Sequence, residues 1–87
     1  MLEGVKAISF KDVNHDGYSD IVIIGEYITG AGPQGVVPFP IADIYFQKKN
    51  KTFTTLPALD QALNDQGHNQ TIKDVIQYVS KQRINVN

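Results

Sequence analysis

The chain has no cysteine. Disulfides, cysteine-ligated zinc and thiol catalysis are therefore excluded. It also lacks an excess of positive charge: eight Lys and Arg stand against nine Asp and Glu, for a net charge of -1. A binder of nucleic acid or of an anionic membrane would carry a clear basic surplus, so neither is expected as a partner. No apolar run approaches the roughly 20 residues that span a bilayer, so no membrane insertion is expected. The opening residues MLEG show neither the charged region nor the apolar region of a signal peptide.

What remains is globular in character. Hydrophobic residues make up 41% of the 87 positions and charged residues 20%, a balance unlike that of disordered chains. The length fits one small domain over residues 1–87, with a modest core that gains from a metal or a partner. Residues 1–4 read as linker or vector-derived sequence, and residues 83–87 as a frayed tail.

Residues Val5 to Phe10 suit a strand, and Ile21 to Ile28 open with four β-branched apolar residues, as a buried central strand does. Asp16-Gly17 between these runs is a hairpin signal. The stretch Thr29 to Pro40 holds three glycines and three prolines and reads as a long loop. Ile41 to Gln47 alternates, with Ala42, Ile44 and Phe46 on one face and Asp43 and Tyr45 on the other. A turn at KKNK leads into a short strand over Thr52 to Thr55.

The period then becomes helical. Pro57 suits a first helical position, Leu59, Ala62 and Leu63 share a face, and Gly67 suits the stop. Thr71 opens a second helix in a capping box with Asp74 in place of Glu. Its stripe of Ile72, Val75, Ile76 and Val79 is expected to pack on a sheet. The predicted fold is α+β: a four-stranded antiparallel meander with two C-terminal helices packed on one face.

The segment DVNHDGYSD, Asp12 to Asp20, carries the chemistry. Asp12, Asn14 and Asp16 fall at loop positions one, three and five, Gly17 permits the sharp reversal at six, and Asp20 stands at nine. Calcium takes six to eight oxygen ligands, which alternating side chains and one backbone carbonyl, here that of Tyr18, supply in such loops. An EF-hand would need a bidentate Glu at position twelve, where Ile23 stands, and helical flanks. Only oxygens are offered, which disfavours zinc and copper, and magnesium rarely takes an all-protein cage. The competing reading is a turn whose Asp and Asn side chains bond their own backbone.

Strand, acidic loop and apolar strand, FKDVNHDGYSDIVIIG over Phe10 to Gly25, together resemble the FG-GAP or VCBS-type calcium loop of integrin α-subunit propellers. The resemblance covers the loop and extends weakly to Thr55, without reaching the helices. It implies calcium as cofactor, with Asp12, Asn14, Asp16, the Tyr18 carbonyl and Asp20 as ligands. It also implies a bacterial protein that is extracellular, periplasmic or at the cell surface.

The remaining polar residues point to little catalysis. His15 and His68 read as surface histidines, and GAGPQG lacks the ending of a phosphate loop. Glu26, inside an apolar strand, is expected to bond backbone amides of the long loop. The leading expectation is a non-enzymatic, calcium-stabilised interaction module that binds a protein partner or a neighbouring domain. Val36, Val37 and Phe39 are its expected contact residues, with Phe39 filling the domain's own core as the competing role. The alternatives are an accessory or inhibitor domain that regulates an enzyme through the Gly/Pro-rich loop, and a small hydrolase using Glu26 or Asp43.

Overall fold

The structure, a computed structural model, describes residues 2–28 and 38–86. Four strands run in the order β1 (Leu2–Lys11), β2 (Asp20–Tyr27), β3 (Phe39–Gln47) and β4 (Phe53–Thr54), followed by α1 (Pro57–Asp65) and α2 (Ile72–Ser80). The strands form one sheet in sequence order, each antiparallel to the next. This is the α+β meander that the alternating patterns predict. Val36 and Val37 lie outside the described residues.

The pleat sorts the side chains. Val22 and Ile24 of β2 and Ala42, Ile44 and Phe46 of β3 share one face, and all five are fully buried. Leu59 and Leu63 of α1 and Val75 and Val79 of α2 close over them, with Ile72 and Ile76 partly buried beside them. The stripe at helical spacing thus packs as expected.

Local chemistry fixes the helix ends. Thr71 caps α2 by accepting the Asp74 N–H at 3.1 Å. Pro57 starts α1, where its missing N–H costs nothing. Gly67, at φ +76°, ends it: His68 N–H reaches back to the Leu63 carbonyl at 2.9 Å, in the pattern of a Schellman motif.

Three boundaries differ from expectation. β1 begins at Leu2, not Val5, and its pairing with Tyr27 and Glu26 absorbs residues read as linker through two register shifts. β3 begins at Phe39, so Phe39 and Pro40 belong to the sheet; Pro40 fits where a strand needs no N–H from that residue. Ile84 and Val86 pack against the core, so this part of the tail is anchored.

The open side of β3 is covered by polar side chains, an arrangement not expected from the sequence. Asn64 of α1 accepts the Ala42 N–H at 2.8 Å and donates to the Ala42 carbonyl at 3.1 Å. Asn69 donates to the Pro40 carbonyl at 2.9 Å, and the Asp60 carboxylate lies near the Ile44 N–H. Alternate residues of a strand are about 6.6–6.8 Å apart, close to the 6 Å rise between Asp60 and Asn64 on one helix face. Through Asn64, α1 thereby supplies at Ala42 the two hydrogen bonds that a fifth strand would have made.

Candidate metal centre

The acidic loop connects β1 to β2, and its hydrogen bonds bring its carboxylates together. Asp12 accepts from Asp16 N–H through Oδ1 at 3.1 Å and from Gly17 N–H through Oδ2 at 2.8 Å. Asp16 accepts from Tyr18 N–H at 3.0 Å and from the Asn14 amide at 3.1 Å. Gly17 sits at φ +88° with open space around its α-carbon, so conformation and not crowding calls for glycine. His15 also takes a left-handed conformation, at φ 58°, and is exposed.

Two further residues lock the loop to the domain. Val13, the one apolar side chain among Asp12 to Asp20 besides Tyr18, is fully buried in the core. Asp20 is also fully buried; its Oδ2 accepts Val13 N–H at 3.0 Å and its Oδ1 accepts Gln47 N–H at 2.8 Å. Val13 could have been singled out from its position alone, since a lone apolar residue in an acidic turn has nowhere favourable to go but inward.

The cluster is electrostatically costly as it stands. One carboxylate oxygen from each of Asp12, Asp16 and Asp20 lies within 4.8 Å of the others. Burial pushes the Asp20 carboxyl above its ordinary value, and the charges of Asp16 and Asp12 push it further, against the two backbone N–H groups that hold it down. Oxygens bound to one calcium at about 2.4 Å are at most about 4.8 Å apart, so the cluster is compact enough for one ion. Each carboxylate oxygen that accepts an N–H retains a second lone pair for a cation. The Asn14 Oδ1 is buried and accepts no hydrogen bond. Buried acceptors rarely remain so, and a cation in this loop would give it a partner. The three aspartates can hold a metal ion, and the donor set fits a hard cation.

The other predicted residues are dispersed. Phe39 is 39% exposed and lies beside Tyr27, with ring centroids 6.3 Å apart, so it does not fill the core. Glu26 is half-buried and shares a shallow cleft of about 290 Å³ with Gly4, Val5 and Lys6; the loop amides expected to bind it lie outside the described residues. Asp43 sits on the sheet face away from the core, near Asp60. His68 stacks on Tyr78 at 4.6 Å beside an open cleft of about 270 Å³. The carboxylate near Asp43 is that of Asp60, whereas the cleft of Glu26 is lined by no other carboxylate among the described residues.

Compared with protein-family models, with curated proteins and with solved structures, the chain matches none. Among the described residues no helix is long and apolar enough to cross a membrane.

Proposed function

We propose that the loop from Asp12 to Asp20 binds calcium and that the ion stabilises the domain. The carrying observation is Asn14 Oδ1, a buried acceptor without a donor in the loop that gathers three carboxylates. Asp12, Asn14, Asp16, Asp20 and the Tyr18 carbonyl would hold the ion. Bound calcium supplies positive charge that offsets the repulsion among the aspartates and the burial of Asp20. Asp20 transmits the gain, because its carboxylate bonds both the loop at Val13 and β3 at Gln47.

On this reading the protein is a non-enzymatic interaction module of a secreted or cell-surface bacterial protein, in a compartment where calcium is plentiful. Loops of this kind bind calcium with dissociation constants on the order of 10⁻⁵–10⁻³ M. A second reading, an accessory or inhibitor domain acting through residues 29–40, draws its support from Phe39, exposed at the start of β3. The primary test is a thermal melt in chelator, in calcium and in magnesium. The proposal requires a rise in Tm that is larger for calcium than for magnesium; equal melting in all three would remove it.

A further inference from the structure

The sheet has a second face, and it is nearly as apolar as the one the helices cover. The strand register places Phe10, Ile21 and Tyr45 side by side on it, then Ile8, Ile23 and Asp43, then Val5, Gly25 and Ile41. Tyr27 and Phe39 continue it. Among the described residues the helices bury their apolar side chains against the opposite face. Phe10 stays 67% exposed, Val5 60% and Ile8 52%. Asp43 is the one charged side chain in these rungs, and it stands on β3, away from the apolar centre on β1 and β2.

We propose that this face is a homodimer interface, occupied by the same face of a second copy of the chain. The aromatic side chains here bury about 150–250 Å² each when covered completely, and Val and Ile somewhat less. At the observed exposures the face offers on the order of 600 Å² per copy, and a face-to-face pair removes about 1,200 Å², the area at which specific stable interfaces begin. Per copy, the face stands at the upper end of the apolar surface, about 300–600 Å², that a typical monomer leaves in its largest patch. The partner must match an uncharged centre with an uncharged centre, and an isologous contact does so by construction.

The alternative geometry, pairing β1 edge to edge with its copy, is disfavoured. β1 carries two register shifts, one of them at Lys6, and such irregularities blunt an edge. Packing of sheet on sheet at about 10 Å keeps the β1 edge out of the contact. A twofold axis parallel to the strands lays β1 over β3 of the partner copy. Phe10 then faces Tyr45, and the two Asp43 carboxylates stay apart; an axis across the strands would bring them together. With the axis along β2, Ile23 meets Ile23 of the second copy.

Dimerisation does not require the proposed ion, so sedimentation equilibrium is run in calcium and in chelator at roughly 10–100 μM. The expected result is a dimer in both. Phe10→Glu and Ile8→Glu, at exposed positions, should weaken it at least tenfold while leaving far-UV circular dichroism unchanged, the second because position 8 faces the like charge of Asp43 of the second copy. The chain contains no cysteine, so Ile23→Cys should be joined to its copy by a short bis-maleimide linker, which spans sheets too far apart for a direct disulfide, and exposed Ser80→Cys should not. A monomeric wild type throughout that range overturns the proposal, whether or not it binds vesicles or another protein. A dimer indifferent to both charge substitutions overturns it as well.

Discussion

One oxygen of Asp20 accepts the backbone N–H of Gln47 at 2.8 Å, across 27 residues of sequence. The other holds Val13 at 3.0 Å. A residue at the last ligand position of the loop is thus also a structural bond between the loop and the end of β3. Asp12 and Asp16 accept N–H groups of the loop itself, those of Asp16, Gly17 and Tyr18.

These two kinds of aspartate should behave differently when truncated. Asp16→Ala should abolish the calcium-dependent rise in Tm. At a hundredfold excess over the dissociation constant that rise corresponds to about 2.7 kcal/mol. Melting curves of the variant with and without calcium provide the measurement, and a retained response would place the ion elsewhere.

Asp20→Ala should destabilise the protein in calcium and in chelator alike. It strands the N–H groups of Val13 and Gln47, and an unpaired buried donor costs about 1–3 kcal/mol. Urea titrations in chelator check this directly. A variant as stable as wild type without calcium would show that Asp20 serves the ion alone.

Asn64→Ala should cost about 1–3 kcal/mol although the side chain is only half-buried, since it leaves the Ala42 N–H and carbonyl without partners. Faster hydrogen exchange at the Ala42 amide would locate the effect. An unchanged exchange rate would mean that water replaces the carboxamide without loss.

Burial, aided by the charge of Asp43 and opposed by the Ile44 N–H, pushes the Asp60 carboxyl up from 3.8 to about 6. The folded state therefore holds this proton more tightly than the unfolded chain does. The contribution is fully present below about pH 4 and is lost as pH rises through about 6. Solvent screens a half-buried carboxyl, so the loss is about 1 kcal/mol. Asp60→Asn, compared with wild type by denaturant titration from pH 4 to pH 7, should gain stability relative to it as pH rises. A constant difference between the two would contradict the assignment.

Phe46→Ala should cost about 3–5 kcal/mol, because the ring is fully buried in the core. Phe39→Ala should cost much less, since the ring stays 39% exposed and leans on Tyr27. Equal destabilisation by the two would place Phe39 in the interior after all.

Local pattern made the strands, the helices and the acidic loop legible. Alternation separated Ala42, Ile44 and Phe46 from Asp43 and Tyr45, and the loop aspartates declared themselves by spacing. Prolines on either side concealed that Phe39 continues a strand, because proline signals a loop wherever its missing N–H is not known to face outward. Gly4 and the register shifts of β1 concealed the start of that strand. Asn64, Asn69 and Asp60 gave no signal, since their partners Ala42, Pro40 and Ile44 come from a different element and only the folded chain brings them together. Asp20 looked like one more ligand for the same reason: Gln47 is invisible from its neighbourhood.

The carboxamide of Asn64 also sets a limit on polymerisation. Fibril growth needs a strand that can be templated on one side and template another chain on the other. Here the Ala42 backbone is already satisfied by the chain's own α1, and β4 offers only Phe53 and Thr54. A chain that captured the β1 flank would find no matching flank on the far side, so accretion would halt after a single addition. Removing that carboxamide would bare the Ala42 backbone alone, because Asn69 still bonds the Pro40 carbonyl, so the stop on accretion is shared along the flank and does not hang on one residue.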